Sequence, residues 1–387
     1  MLTVTVNDVD SGLSTLLTVE INNVDNDCRR RVEHMAEQHG TNDLEELTAA
    51  APARAIPLAM IAKGMAFPVF FVVMFALCYV SAFHNPVPHN VQLALVGPAQ
   101  QTSMIADQIA QSSPGAFEIT ATTDRAGALE DLGAQRVAGV IELGPTVTAH
   151  IASGGGITVA QAVEHVAQPL ADGLGTTVTV QDAAPLGAGD STGMGLFYFM
   201  IVCTIGGYIT VMVLSQVAVG MTLRRQVGIL GAMSAGLPLL AYAVSSIFVG
   251  AYGASAAGLV ALLLIGMAYT FAVGLVSLGL NKLAGQSAIF LIMTFAIFLN
   301  FPSAGGAIPA SFLPGFWNGM HSFWVGSGAM QSMRSVIFFG GSGLGTGLLI
   351  LGGWIVVGAL LLLALDQRGR RRVTAAAEQP GELVAAR

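Results

Sequence analysis

Long apolar stretches and one mixed block alternate along the chain. An apolar run at 57–82 precedes a mixed block at 84–194, and further apolar runs fill most of 195–366. A helix of about 20 apolar residues spans the hydrocarbon core of a bilayer. The pattern therefore predicts a polytopic α-helical membrane protein with a soluble domain between its first and second transmembrane helices.

Breaks in the apolar pattern predict six transmembrane helices. The first lies within 56–83 and the second covers 196–219, while a long run at 237–280 divides into two at the turn near Gly253–Gly258. Runs at 287–301 and 343–365 complete the set. Residues 302–340 are rich in proline and glycine, which predicts an irregular, re-entrant outer segment. Such backbone must be buried in protein or line a wet cavity.

The mixed block at 84–194 alternates between strand and helix patterns. Strands are predicted at 91–97, 117–122, 137–143, 146–152 and 176–182, and helices at 100–111, 124–135 and 159–171, with Asp124 as an N-cap. Alternating strands and helices of this kind predict an α/β sandwich on a largely parallel or mixed sheet.

Composition and charge agree with a membrane protein and restrict its mechanism. Hydrophobic residues make up 53% of the chain and charged residues 10%, which excludes an ordinary soluble globular protein. The 175 residues from Ser191 to Leu365 contain no Asp or Glu. Because proton-driven transporters normally carry the proton on an ionisable group inside the bilayer, the acid-free stretch argues against proton coupling there.

Basic residues predict the orientation of the spans. They occur at Arg54 before the first span and Lys63 one turn into it, at Arg224–Arg225 and Lys282 between later spans, and at 368–372 after the last. Basic residues mark the cytoplasmic ends of spans. Both termini are therefore predicted on the cytoplasmic side of a cell membrane, and the α/β domain and the outer segment on the opposite side. A partly disordered segment at 1–55 and a basic tail at 367–387 are both predicted to be cytoplasmic. Met35 and Met60 are alternative starts of the chain.

The segment at 221–236 is the first candidate for function. It joins two spans and combines Arg224 and Arg225 with apolar positions that include Leu223 and Val227. Its apolar face would lie on the membrane with the arginines at the surface. Two interpretations remain open: a positive-inside anchor alone, or a coupling helix that docks into a cytoplasmic partner.

The outer segment is the second candidate. Its distinctive residues are Pro302, Gly305, Gly306, Pro309, Pro314, Trp317, His321 and Arg334. Trp317 and Trp324 could simply anchor the chain at the membrane interface. His321 and Arg334 could face water; otherwise Arg334 needs a carbonyl dipole, a lipid phosphate or an acid from the outer domain as its partner.

Other chemistry has little support in the sequence. No G-x-x-x-x-G-K-[ST] phosphate loop and no G-x-S-x-G nucleophile elbow is present. His84 and His89 have no neighbouring cysteine or acid cluster, so no metal site is predicted. The three glycines at 154–156 are interpreted as a strand-to-helix turn, Cys78 and Cys203 as buried residues, and nucleic-acid binding has no basic surface to support it.

The stretch NFPSAGGAIPASFLPGFWNGMHSFWVGSGAMQSMRS at 300–335 resembles the outer region of type-2 ABC exporter permeases, in the YhgE/phage-infection-protein branch common in actinobacteria. An outer domain that begins LALVGPAQQ and ends VQDAAPLGAGDSTGMGLFY agrees, as do the five spans that follow. The resemblance covers about residues 56–370 and is most specific at Ser303–Gly306 and Phe312–Trp317.

The resemblance implies a bacterial permease subunit that exports a lipid, drug or peptide-like substrate. It would form a homodimer, or a heterodimer with a similar permease, among membrane lipids. ATP would bind a separate cytoplasmic ATPase, and Arg224–Arg225 would contact that subunit. The chain itself would hold no catalytic residue, cofactor or metal. The alternative is a non-transporting envelope protein, a scaffold like phage receptors or secretion-system accessories; a membrane enzyme is the weakest hypothesis.

Overall fold

The computed structural model describes residues 3–4, 19–20, 58–217 and 220–377. It divides into two compact units, Met1–Ala66 and Phe67–Arg387. In the first unit, β1 (Thr3–Val4) pairs antiparallel with β2 (Val19–Glu20). The predictions made for the rest of 1–55 lie outside the described residues.

Helix α1 leads into the α/β domain. It covers Leu58–Phe75 and continues through a π-helical turn to Phe83. The domain then follows in the order β3 (Val91–Val96), α2 (Ala99–Ser112), β4 (Phe117–Thr122), α3 (Arg125–Gly133), β5 (Gly139–Leu143), β6 (Val147–Ile151), α4 (Ile157–Gly173) and β7 (Val178–Asp182). Each strand and helix predicted in this block is confirmed. The Asp124 carboxylate caps α3 by accepting the Gly127 N–H at 2.9 Å.

The five strands from β3 to β7 form one mixed sheet with helices on both faces. Their order is β4-β3-β5-β6-β7, and only the β5–β6 pair is antiparallel. Leu93 and Leu95 face the side covered by α2 and α4, whereas Ala94 and Val96 face α3. This alternation gives the two-residue period visible in the sequence.

Long apolar helices make up most of the remaining chain. They are α5 (Gly195–Val217), α6 (Leu223–Val249), α7 (Ala256–Ala284), α8 (Ala288–Met293), α9 (Asn300–Ser303), α10 (Gly315–His321), α11 (Val325–Phe338) and α12 (Leu344–Ala377). Within the described residues, five stretches are long and apolar enough to cross a membrane: Gly64–Phe83, Gly195–Val217, Leu223–Val249, Ala256–Ser303 and Leu344–Gly369.

The 48-residue stretch Ala256–Ser303 folds back on itself at Gly285. Gly285 ends α7 with a φ of +55°, a conformation that favours glycine. Tyr269 and Asn300 are nearly equally far from Gly285 along the sequence, on opposite sides of it. The Asn300 amide donates to the Tyr269 hydroxyl at 2.7 Å. The α8–α9 segment therefore runs antiparallel to α7.

A buried polar network links this hairpin to α5. The Tyr269 hydroxyl lies 2.6 Å from the Thr204 hydroxyl, which in turn donates to the Met200 carbonyl at 2.8 Å. Tyr269, Thr204 and Asn300 are all fully buried. Each polar group in an apolar bundle must find a partner, so this network fixes how α5, α7 and α9 meet.

Glycines show the relative directions of the helices. A Cβ on Gly274 would contact Leu230 and one on Gly266 would contact Pro238, so α6 and α7 are antiparallel. A Cβ on Gly358 would contact Leu275, and one on Gly279 would contact Leu361, which makes α7 and α12 parallel. The start of α6 and the ends of α7 and α12 therefore lie at one end of the bundle, where Arg224, Arg225, Lys282 and Arg368 are found.

The α/β domain joins the opposite end. A Cβ on Gly187 would lie 3.0 Å from the backbone of Tyr252, and one on Gly189 would lie 2.9 Å from the Val249 carbonyl oxygen. These backbone contacts bring the end of the domain against the α6–α7 turn. The Asp190 carboxylate then accepts the Gly195 N–H at 2.8 Å and so caps α5.

The predicted start of the third span is wrong. Residues 223–236 do not form a separate surface helix, because α6 begins at Leu223 and continues to Val249. Leu230 is fully buried against α5, α7 and α12, and Leu223 and Val227 pack beside it. The α6–α7 turn lies at 250–255 and overlaps the position predicted near Gly253–Gly258. Helix α12 continues through Arg368–Arg372 and ends at Ala377, so much of the predicted tail at 367–387 is helical.

The segment 302–340 is also more regular than predicted. It contains α10 and the 14-residue α11. Helix α11 packs antiparallel on α12, because a Cβ on Gly328 would lie 2.9 Å from the Gly347 carbonyl oxygen. Small residues allow this close approach, which single-sequence periodicity does not reveal.

We predict that Tyr269→Phe destabilises the helix bundle. The substitution removes the hydroxyl that bonds Asn300 and Thr204, so the free energy of unfolding should fall by about 0.5–2 kcal/mol. Unfolding of the purified protein in mixed micelles by sodium dodecyl sulfate measures this change. Tyr208→Phe on α5 is the matched control, because the Tyr208 hydroxyl bonds no described group. An equal loss in both variants would contradict a role for the network.

Candidate ligand site between the broken helix and the α/β domain

The helix that ends at Ser303 breaks inside the protein, and side chains bond its free carbonyl groups. Arg334 on α11 donates to the carbonyl oxygens of Gly305 at 2.8 Å and Gly306 at 3.2 Å. The Nδ1–H of His321, at the end of α10, donates to the Ser303 carbonyl oxygen at 2.8 Å. Helix ends leave such carbonyls unpaired, and cations suit their partial negative charge. Of the predicted partners for Arg334, the carbonyl dipole is therefore present.

Two glycines make the break possible. Gly305 has a φ of +73°, in the left-handed region that favours glycine. A Cβ on Gly306 would lie 2.8 Å from the Phe197 ring of α5. The glycine pair singled out in the sequence thus turns the chain and lets it approach α5.

The other residues predicted in this segment are structural. Pro302 is buried within α9, and Pro314 precedes the first turn of α10. The Trp317 indole N–H donates to the Ser81 hydroxyl at 3.1 Å, next to the end of α1. Trp317 is 4% exposed and Trp324 9%, so both pack inside the protein rather than at its surface.

The three glycines at 154–156 form a seam with the outer segment. They follow β6 in a short 3-10 turn, as the strand-to-helix interpretation requires. A Cβ on Gly154 would lie 2.7 Å from the Phe338 Cβ, and one on Gly156 would lie 2.6 Å from Pro309. Gly155 lies against the Phe339 ring. The α/β domain therefore packs directly on both ends of the broken segment.

A cavity of about 340 Å³ lies beside this seam. Its walls come from the α/β domain and from the outer segment, namely Asn90, Val91, Gln92, Leu132, Gln135, Arg136, Val137, Ala138, Ala152, Gly155, Val159, Ala304, Pro309, Ala310, Ser311, His321, Met330, Gln331, Arg334 and Phe339. The wall includes two arginines, a histidine and four carboxamides but no acid. It combines polar donors with apolar surface, as ligand sites usually do.

The two arginines of the cavity differ in their partners. Arg136 is exposed and pairs with Asp131 at 2.6 Å and Glu130 at 3.3 Å. Arg334 has no carboxylate within 4.0 Å among the described residues. Burial lowers the pKa of Arg334 to about 10, so the guanidinium is still charged at neutral pH. Arg334 is thus the unneutralised cation of the cavity.

His321 is neutral at pH 7. Burial lowers the pKa of its imidazole, and the nearby Arg334 charge lowers it further, although the bond to the Ser303 carbonyl opposes the shift. With Nδ1 protonated toward Ser303, Nε2 carries the lone pair.

The structure separates the two predicted sites. Pro309, His321 and Arg334 line the cavity, and Gly305 and Gly306 lie directly behind it. Leu223, Arg224, Arg225 and Val227 lie at the opposite end of the bundle, where both arginines are exposed. Sequence reasoning missed the contribution of Gln135 and Gln331. No local sequence signal marks them, because the two residues are far apart in the chain and meet only at the cavity.

No other ligand centre emerges from the described part of the chain. Across residues 58–217 and 220–377, no three His, Cys, Asp or Glu side chains converge as metal ligands would. No known family model, curated protein or solved structure matches the chain. The class of protein that its own geometry defines is a bundle of apolar helices, with five described stretches long and apolar enough to cross a membrane and an α/β domain packed on one end.

We predict that Gly154→Ala destabilises the seam. The new methyl group would overlap Phe338, and such overpacking costs about 1–3 kcal/mol. The thermal unfolding temperature of the detergent-purified protein should fall. Gly173→Ala, at the end of α4, is the control because its Cβ meets nothing within 4 Å. Equal unfolding temperatures for Gly154→Ala and the unmodified protein would contradict this packing.

We predict that acid weakens the fold through His321. The pKa of His321 is lower in the folded state than its ordinary value of 6.5, so the unfolded chain binds the proton more tightly. Neutral His321 contributes its full stabilisation above about pH 6.5. This contribution is lost as the pH falls below 6.5 through the lowered pKa of the folded state. Thermal unfolding between pH 7 and pH 5 should show a smaller loss for His321→Asn, which keeps a donor for Ser303. Parallel pH profiles would contradict the assignment.

Proposed function

We propose that the chain is the membrane permease subunit of an ABC-type exporter, driven by a separate ATPase. The observation that carries this proposal is the two-ended bundle. One end presents an exposed pair of arginines, and the other holds a ligand-sized cavity between a broken helix and an α/β domain. The resemblance of residues 300–335 to type-2 exporter permeases supports the same conclusion.

The proposed topology has six membrane crossings. Ala256–Ser303 turns back at Gly285 and would cross twice, which adds one crossing to the five apolar stretches. The basic residues gather at one end of the bundle, and that end would face the cytoplasm. The α/β domain and the cavity would then face outward, with both termini inside.

The energy source in this proposal lies outside the chain. The stretch from Ser191 to Leu365 has no acid to carry a coupling proton, and the sequence has no phosphate loop. ATP would therefore bind a cytoplasmic partner. Two permease chains, identical or similar, would form the transport unit in a bacterial cell membrane, and its substrate would be a lipid, drug or peptide-like molecule.

The α6 N-terminus is the proposed contact with the ATPase. Leu223 and Val227 pack against the bundle and fix the first turn, while Arg224 and Arg225 point away from it. A partner bound there would act on α6, whose other end meets the α/β domain through the turn at 250–255. This continuous helix is the proposed mechanical link between the two ends.

We predict that Arg224→Glu/Arg225→Glu abolishes association with the ATPase and leaves the fold intact. Both side chains are exposed, so charge reversal should act on the partner and not on packing. Co-purification of the tagged chain from its native host, followed by an ATPase assay, measures association. Lys282→Glu is the control, because this exposed residue lies at the same end in the last turn of α7.

The outcome separates the two candidate functions. Loss of the ATPase in the double variant alone supports the permease. An intact association would contradict the assignment of this contact. If no ATPase co-purifies with the unmodified chain, and the double variant still performs the function of the unmodified protein in the cell, the envelope-scaffold hypothesis is favoured over the permease.

A further inference from the structure

We propose that the cavity beside the seam binds an oxyanion, a phosphate or carboxylate group, with Arg334 as its principal contact. The carbonyl bonds of Arg334 explain how its side chain is held. They do not explain why a charged residue faces a cavity with no acid in its wall.

The guanidinium keeps donors to spare. Arginine has five N–H groups, and Arg334 uses two for the carbonyls of Gly305 and Gly306. Three donors are therefore left for a ligand. Carboxylates and phosphates match the planar guanidinium better than other groups, since they can accept two parallel hydrogen bonds.

The positive charge of Arg334 is also not balanced by any residue of the cavity wall. The described partners of Arg334 are the neutral carbonyl groups of Gly305 and Gly306, and neither carries a net charge that could balance the guanidinium. His321 is neutral, and Arg136 is already paired with Asp131 and Glu130. The positive charge of Arg334 is therefore left without an ionic partner in a partly buried site, where an unpaired charge is expensive.

The remaining wall suits an anion that carries an apolar part. The amides of Asn90 and Gln331 offer neutral N–H donors to the cavity, and Gln135 keeps one N–H beside the one that bonds the Ser342 carbonyl. The Gln92 amide is already bonded to Glu118 and to the Asn90 carbonyl. Val91, Leu132, Val159, Met330 and Phe339 supply apolar surface. A volume of about 340 Å³ holds a head group and a short stretch of chain. An anionic lipid or amphiphile fits this wall better than a free ion does.

A purely structural Arg334 is the competing account, and Gln331→Glu separates the two. Gln331 lies one turn before Arg334 on the same helix, and both line the cavity. The new carboxylate at position 331 would neutralise the Arg334 charge inside the cavity, and the bonds from Arg334 to the Gly305 and Gly306 carbonyls would remain. The fold should survive while the anion site is lost.

Isothermal titration calorimetry on the full chain in nonionic detergent tests the proposal. The probes are dihexanoylphosphatidylglycerol, the zwitterionic dihexanoylphosphatidylcholine and inorganic phosphate. We expect the unmodified chain to bind one phosphatidylglycerol at least about tenfold more tightly than phosphatidylcholine, because only the former carries a net anion. Equal binding of inorganic phosphate would assign a free anion as the source; weaker phosphate binding would assign an amphiphile.

Three variants complete the test. Gln331→Glu should lose this preference while keeping its unfolding temperature, and Arg334→Gln should lose it as well. Lys282→Gln, in the last turn of α7 at the far end of the bundle, should bind like the unmodified chain. The proposal is overturned if phosphatidylcholine binds as tightly as phosphatidylglycerol, or if folded Gln331→Glu retains the preference.

The site itself does not depend on the proposed export activity, but its interpretation as a substrate site does. The binding experiment uses no ATPase, so a failure to bind would refute the anion site alone. Loss of the ATPase contact would instead refute the permease and leave the anion site in place.

Discussion

The carbonyl groups at the break after Ser303 impose the constraint on which the end of the bundle beside the α/β domain depends. In an apolar bundle, broken helix ends cannot rely on water for hydrogen bonds. Arg334 and His321 supply the donors from α11 and α10, which fixes both helices relative to the break. The chain thus gains an interrupted helix whose backbone is satisfied without any acid.

This arrangement also makes the α/β domain part of the same body as the helices. Phe338, the last residue of α11, and Phe339 contact the glycine turn after β6, and Pro309, in the loop that follows the break, contacts the same turn. Residues Phe67–Arg387 accordingly form one compact unit. Movement of the domain would disturb Arg334 through α11, so a ligand in the cavity and the position of the domain are expected to affect each other.

Much of the fold could be predicted from sequence because its signals are local. The strands of the α/β domain follow their two-residue period, and the Asp124 cap lies where its side chain predicts. The apolar face of Leu223, Val227 and Leu230 was ambiguous, since the same spacing suits a membrane surface or a helix bundle. The cavity could not be predicted, because Gln135 and Gln331 come together only in the folded chain. His321 and Arg334 were identifiable because an ionisable residue in an apolar stretch needs a partner.

The contact between Gly154 and Phe338 tests the central claim, that the α/β domain packs on the broken segment. With Cys28, Cys78 and Cys203 replaced by alanine, the pair Gly154→Cys/Phe338→Cys should form a disulfide on mild oxidation. A Cβ at position 154 lies 2.7 Å from the Phe338 Cβ, so a small adjustment reaches the usual separation of about 3.5–4.5 Å. Mass spectrometry of the digested full chain should find the cross-linked peptide, and none for Gly173→Cys/Phe338→Cys. An uncrosslinked, folded Gly154→Cys/Phe338→Cys protein would contradict the account.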